Sequence, residues 1–412
     1  MDVFIAGISH TPLGRHLDRS VKALTHEAVA GALLDAGLPQ GEVEAAWFSN
    51  VRQGQMEAQN SIRGQCALTA MGFSGIPIFN TENACASGSS GLFQAYAAIK
   101  AGLFDVALVV GTEKMFYPEK RQAMMQAFFG GTDIHEMQST WQGLLQIGEG
   151  VGPARVDGGD WKQQSFFMDV YASFARMHMK MYGTTQEHIA HAAAKNHTHS
   201  ALNPLAQYRA PMNVQEVLGT PLIAWPLTRA MCAPISDGAA AAVVCSERAL
   251  YRVNRIRAIR VRGMGVSSTV HRAPEALESH CVSLAADRAY AAAGISAKDI
   301  DVVEVHDASS FAEVLQIENL GLCARGEGGF YTVSGATTLG GECPVNVSGG
   351  LVSKGHPIAA TGIIQLHELV TQLRGEAGER QVQGARIAVA ENGGGFIRVE
   401  DAAAVVTVLD KA

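Results

Sequence analysis

The sequence predicts an α/β protein built from two copies of one unit. Three observations carry this: short apolar runs alternate with alanine-rich helical ones, a helix–glycine–strand segment occurs twice, and the chain is large enough for extensive cores. It has 412 residues, 47% hydrophobic and 17% charged, which suits two domains or one duplicated domain.

The start, Met1-Asp2-Val3-Phe4-Ile5-Ala6-Gly7, reads as a first strand and not as a signal peptide. An alanine-rich helix over 28–38 then leads to a strand over 43–48, and the same order returns as 285–295 followed by 300–305. Gly37 and Gly294 are expected to end the two helices, because glycine adopts the left-handed backbone that stops one. A second echo pairs 237–244 with 393–399 as the closing strands of the two units. Between them, a stretch rich in Met, His, Gln and aromatics departs in composition from its flanks and is expected to be a loop domain on the rigid scaffold. The predicted organisation is 1–115 with 228–250 as the first half, 116–227 as the inserted loop domain, and 251–412 as the second half.

Composition excludes several functions. A net charge of -7 without a basic block argues against a nucleic-acid partner. No apolar run approaches a membrane span, so a cytoplasmic protein is expected. Seven cysteines at irregular spacing fit neither a disulfide framework nor a zinc site and should be reduced thiols. His188, His191, His197 and His199 lack interleaved acidic or thiol ligands, so no metal is expected in this chain.

Four segments carry chemistry. Cys85 lies in Asn83-Ala84-Cys85-Ala86-Ser87-Gly88, between an extended stretch and a helical run. Unpaired N–H groups at a helix start stabilise a thiolate, so its pKa is expected to fall; an inert core cysteine is the alternative. His356, between Gly355 and Pro357 before a helix, suits a base that takes a thiol proton. His306 and Asp307 stand where a strand ends, able to reach a cleft, with Asp307 equally readable as a helix cap. The glycine backbone of Glu391-Asn392-Gly393-Gly394-Gly395 offers amides to an oxyanion.

Together these segments resemble the thiolase family over essentially the whole chain. The matching pieces are Asn83-Ala84-Cys85-Ala86-Ser87-Gly88, Gly111-Thr112-Glu113-Lys114-Met115, Ser236-Asp237-Gly238-Ala239-Ala240-Ala241, Gly355-His356-Pro357 and Asn392-Gly393-Gly394-Gly395. His306-Asp307, Lys195-Asn196-His197, 203–208 and 344–350 are most similar to the sterol-carrier-protein-2-like and archaeal acetyl-CoA acetyltransferase group.

The resemblance implies two βαβαβ-type halves in a five-layered α-β-α-β-α arrangement with an inserted loop domain. It implies Claisen chemistry on acyl groups carried by coenzyme A, which is a substrate here. Cys85 would take the acyl group, His356 the cysteine proton, and His306 would stabilise an enolate or thioester oxyanion; the Cys85 and Gly394 amides would form the other oxyanion hole. A homodimer core through a strand of the first half is implied, as is a small OB-fold zinc-ribbon partner of the domain-of-unknown-function-35 type.

Two departures stand out. Where many thiolases carry a second cysteine, this chain has Glu391; a buried carboxyl of raised pKa can do the same proton transfer, and a salt-bridged structural residue is the alternative. Ala308 stands where sterol-carrier-type thiolases often have cysteine, and Ser309 replaces an aromatic, suggesting a reshaped acyl pocket. Met115, Phe116, Met124, Met125, Phe128, Phe129, Trp141, Phe166 and Phe167 are candidates to line it for a bulky acyl chain, or simply to form core. Substrates considered are a 3-oxoacyl-CoA from lipid breakdown and an aryl one such as benzoylsuccinyl-CoA. A carbon–carbon lyase (aldolase) on the same scaffold and a non-catalytic lipid- or CoA-binding protein are the competing readings.

Overall fold

A computed structural model describes residues 1–153 and 165–411. The first half runs β1 (Val3–His10), α1 (Val21–Ala36), β2 (Ala45–Ser49), β3 (Ile78–Thr81), α2 (Ser87–Lys100) and β4 (Val106–Glu113). The chain then leaves the sheet for a mainly helical excursion that includes α3 (Phe166–Tyr182) and α4 (Gln186–Ala201), and returns as β5 (Gly238–Ser246). The second half runs β6 (Ile259–Ser268), α5 (Cys281–Ala293), β7 (Val302–Glu304), α6 (Ser310–Asn319), α7 (Thr361–Arg374), β8 (Ile387–Gly394) and β9 (Ala403–Asp410).

The duplication is visible in the pairing. The strand order is β3-β2-β4-β5-β1-β6-β9-β8-β7, two runs of one pattern meeting where β1 pairs antiparallel with β6 at Phe4–Arg260 and Ile5–Ile259. In each half a parallel pair (β2 with β4, β7 with β8) is followed by two antiparallel ones. An isolated parallel bridge of Val345 with Val303 takes the place of β3. Gly37 and Gly294 end α1 and α5 at φ 64° and 63°, as glycine at that position should. The second echo needs correction: the partner of β5 is β9, and 393–399 belongs to the end of β8 and the turn after it, because glycines at 393–395 suit a turn better than a central strand.

Strand parity builds five layers. Along β4, Val106, Leu108 and Val110 pack with α1, while Ala107 and Val109 face a central core shared with α2 and α7. Along β9, Ala404, Val406 and Val408 pack with α5, while Val405 and Leu409 face that same central core. Both faces of these two strands are therefore buried, which explains their continuous apolar runs. Helices α2 and α7 meet closely in the middle: a Cβ at Gly88 would stand 2.7 Å from the Ala359 carbonyl oxygen, and one at Gly362 would collide with the Ser89 hydroxyl. Their N-terminal ends come together, and the loops entering them carry Cys85 and His356. No helix among the described residues is long and apolar enough to cross a membrane.

Candidate active site

Cys85 sits in a tight turn between β3 and α2. Ala84 adopts φ 47°, a left-handed conformation that costs a non-glycine residue about 1 kcal/mol and persists only when neighbours hold it. They do: the Ser87 hydroxyl accepts the Asn83 N–H at 2.9 Å and donates to the Ala84 carbonyl at 2.6 Å, and Asn83 Nδ2 donates to Ser90 Oγ at 2.9 Å. The turn rests on the end of β8, where a Cβ at Gly394 would stand 2.5 Å from the Ala86 nitrogen.

His356 enters from the equivalent loop of the second half. Its backbone N–H donates to Ser236 Oγ at 2.9 Å, and Ser236 in turn donates to Gln207 Oε1 at 2.6 Å. The Gln207 and Tyr208 amides donate to the carbonyls of Lys354 and Ser353, so the 203–208 segment clamps this loop. Thr361 Oγ1 gives its one proton to the Pro357 carbonyl at 3.1 Å and lies 2.7 Å from His356 Nδ1. With the Thr361 proton on the Pro357 carbonyl, the tautomer that fits is the one with hydrogen on Nδ1, which leaves Nε2 as an acceptor. Lys354 is anchored below by a buried ion pair with Glu304 at 2.8 Å.

His306 follows β7 and meets His356 edge to face, ring centroids 5.2 Å apart. Cys85 Sγ and one ring nitrogen from each of His306 and His356 all lie within 4.8 Å of one another. Both nitrogens of His306 are buried without a hydrogen-bond partner among the described residues, so the ring is free for an incoming group. Asp307 points away: its Oδ1 accepts the Leu351 N–H at 2.6 Å and its Oδ2 accepts from Asn196 Nδ2 at 2.8 Å. The cap of α6 is instead Ser309, which is fully buried and does not line the cavity.

The expected low thiol pKa is not found. Burial pushes the Cys85 thiol up to about 12, against the opposing pull of Arg52 and the Gly395 amide. Burial also lowers His306 to about 4 and, with His306 and Lys354 adding repulsion, drives His356 well below its ordinary value. The resting pair is thus a neutral thiol beside a neutral imidazole. The helix start does not overcome the desolvation of a charge beneath an apolar wall.

Two further expectations shift. Gly394 supports the Cys85 turn from below, whereas Gly395, at φ 67°, lines the cavity and turns its amide toward the Cys85 sulfur. Glu391 does not reach the cavity wall. It shares strand parity with Val389, away from the central core, and its Oε2 accepts the His306 backbone N–H at 2.9 Å while Oε1 has no partner among the described residues. Burial raises its pKa to about 8. The carboxyl on the wall is Asp401, raised to about 7 by burial and by Glu400. Asp401, Arg52 and Tyr171 were missed in the sequence and lay in none of its motifs; Gly395 belonged to the glycine turn singled out there, although Gly394 was the residue named for the oxyanion hole.

The cavity holds about 720 Å³ of space unfilled by atoms, its open mouth included. Met115, Phe128 and Phe167 of the proposed apolar set line it with Met168 and Tyr171, and Ala308 leaves room beside His306. Met124, Trp141 and Phe166 are core residues, Phe129 packs against that core, and Met125 is exposed. His197 and His199 hold the second half in place: His197 Nδ1 meets Ser353 Oγ at 3.0 Å while its Nε2 meets the Ala230 carbonyl at 3.0 Å, and His199 bridges the Asn346 carbonyl and the Leu339 amide.

Residues 3–222 match the family described as thiolase, N-terminal domain, and residues 263–410 match the thiolase C-terminal domain-like family. An acetyl-CoA acetyltransferase of Methanothermobacter thermautotrophicus is 35% identical over 96% of both chains. Sterol carrier protein 2 of Bos taurus is 35% identical over 95% of this chain and 69% of its own. The benzoylsuccinyl-CoA thiolase subunit BbsB of Thauera aromatica is 32% identical over 97% of this chain and 96% of its own. Among solved structures, the Ltp2-ChsH2(DUF35) aldolase superposes with a TM-score of 0.75 at 22% identity, covering 99% of this chain and 97% of that one. Two halves of one pattern, each matching its own family domain in order, with the facing loops bringing a cysteine and two histidines together, leave one conclusion: the chain belongs to the thiolase family and is an acyltransferase.

Proposed function

We propose that the protein cleaves a 3-oxoacyl-CoA thiolytically, or runs the reverse Claisen condensation, through an acyl-enzyme on Cys85. The observation that carries this is the convergence of Cys85 Sγ, His306 and His356 within 4.8 Å. As the sulfur attacks the 3-oxo carbon, its proton passes to His356 Nε2, and the Cys85 and Gly395 amides hold the developing oxyanion. The bond between C2 and C3 then breaks with its electrons going to C2, and the unpartnered His306 ring stabilises the resulting thioester enolate. C2 takes a proton. Coenzyme A then attacks the acyl-enzyme, giving its thiol proton to a base in the site, and Cys85 leaves as a thiol. Chromatography of the products tests the reading: one 3-oxoacyl-CoA plus free coenzyme A should yield two shorter acyl-CoAs, and hydrolysis or no reaction would oppose it.

Asp401 is better placed than Glu391 to protonate C2, since it lines the cavity and holds its proton up to about pH 7. An acid of that pKa is protonated below pH 7 and lost above it, so cleavage should decline as pH rises through about 7. His356, pushed well below 6.5, remains a competent base across that range. Asp401→Asn should remove the alkaline decline and lower kcat by roughly 10²-fold, while Glu391→Gln should cost less. A pH–rate series on both variants checks this; a larger loss with Glu391→Gln would restore the glutamate as the shuttle.

The bulky or aryl-substituted acyl group, with benzoylsuccinyl-CoA as one candidate, is supported by the aromatic and methionine wall and by the BbsB relative. We place the domain boundaries at 115/116, 227/228 and 250/251. A homodimer through β3 is supported by its position at the open sheet edge, where Phe79 is 44% exposed. A small OB-fold zinc-ribbon subunit is the proposed second partner, supported by the DUF35 component of the Ltp2-ChsH2 aldolase. Seven free cysteines suit a reducing, cytoplasmic setting.

A further inference from the structure

Arg52 contributes a cation to the acyl cavity that no described residue neutralises directly. The residue is 7% exposed and lines the cavity with Cys85, His306 and His356. Its guanidinium makes no hydrogen bond or ion pair with the described residues, and Nε is buried without a partner. It lies along Gly130 and Gly131, where added Cβ atoms would stand 2.9 Å from Nη1 and 3.4 Å from Nη2. Gly131 is beside Gly395, whose own Cβ position is 3.1 Å from the Gly131 carbonyl oxygen, so the guanidinium belongs to the wall nearest the cysteine turn.

The nearby acids are otherwise engaged or remote. Glu113 is the leading charge acting on Arg52, yet its Oε1 accepts the Arg52 backbone N–H at 3.0 Å and Oε2 accepts the Val51 N–H at 3.1 Å. Glu82 acts on Arg52 only through space, and Asp401, on the same cavity, is not among the charges that act on it. An unpaired guanidinium against Met115, Phe128 and Phe167 is costly to bury, and a planar fork with free N–H groups fits one kind of ligand best.

We infer that the acyl portion of the substrate carries a second, free carboxylate, and that Arg52 binds it. The substrate class is then a dicarboxylic 3-oxoacyl-CoA, its remote carboxylate pairing with Arg52 while its 3-oxo carbon faces Cys85. This rests on the thiolase reading and adds the residue that sets specificity.

The test uses thioesters that share coenzyme A and differ only in the distal group, so any contact of Arg52 with coenzyme A phosphates cancels. For 3-oxoadipyl-CoA against 3-oxohexanoyl-CoA, the wild-type ratio of kcat/KM should favour the carboxylate by roughly 30-fold or more. Arg52→Met should collapse or invert that ratio, and Arg52→Lys should keep its sign. A wild-type ratio near one, or a loss with Arg52→Met that falls equally on both substrates, overturns the inference and leaves Arg52 as a partner of Cys85 alone. Binding of succinyl-CoA and butyryl-CoA to Cys85→Ser, followed by calorimetry, separates the two claims. If the wild type cleaves neither substrate but Cys85→Ser still prefers succinyl-CoA, the thiolase reading fails and the carboxylate site stands. If butyryl-CoA binds as well or better, the carboxylate site fails.

Discussion

His356→Ala is expected to lower kcat for cleavage by roughly 10³-fold, within the range for losing a positioned general base. The size follows from the electrostatics of the resting site. A thiol pushed up to about 12 does not ionise unaided near neutral pH, so the proton must leave as the sulfur attacks. On the proposed mechanism His356 is the base: its Nδ1 lies 2.7 Å from Thr361 Oγ1, and the tautomer with hydrogen on Nδ1 leaves Nε2 to take the proton. Thr361→Val should then cost less than His356→Ala while moving in the same direction. Steady-state rates with both variants, beside their thermal unfolding curves, check the claim. A His356→Ala enzyme within tenfold of wild type would show that another group takes the proton.

Lys354→Met is expected to destabilise the fold by about 3–5 kcal/mol, the cost of removing one partner of a buried ion pair. Lys354 is 1% exposed, its Nζ lies 2.8 Å from Glu304 Oε2 and 2.6 Å from Ser348 Oγ, and the Ser348 backbone N–H also donates to Glu304 at 3.0 Å. The pair ties the loop carrying His356 to the strand carrying His306. Removing the lysine leaves a carboxylate with no cation, whereas the double change Lys354→Met with Glu304→Leu should recover much of the loss. Denaturant unfolding of the single and double variants measures both. Equal losses for the two would place the energy in packing around Lys354 instead of in the charge.

The fold was legible in the sequence because most of its strands are buried on both faces and α1, α3, α5 and α7 stop at glycine. Gly37 and Gly294 marked equivalent helix ends, and the recurrence of 28–38 and 43–48 as 285–295 and 300–305 located α1–β2 and α5–β7. The closing strand was misplaced, since glycines at the end of β8 and the alanine–valine run of β9 are adjacent and either could be taken for the counterpart of β5. Cys85, His306 and His356 were legible because each sits at a junction between element types. Glu391 was legible as a residue but not in its direction. Strand alternation turns it with Val389 away from the central core, toward the His306 backbone. Arg52 and Asp401 carried no local signal, because they meet the cavity only after β2 and the turn before β9 are folded beside α2. Burial of Cys85 was equally hidden: Phe128, Phe167 and Tyr171 come from a distant segment, and their cover outweighs the helix start that the local sequence displays.

On the proposed mechanism Cys85 carries the acyl group. Intact-protein mass spectrometry after incubation with acyl-CoA tests it directly, using wild type and Cys85→Ser across acetyl, butyryl, succinyl and benzoyl thioesters. The wild type should gain a mass equal to one acyl group with at least one of these, and Cys85→Ser should gain none. An unmodified wild type with all of them would contradict it and favour a lyase or a binding protein on this scaffold, and an adduct that persists in Cys85→Ser would place the nucleophile elsewhere.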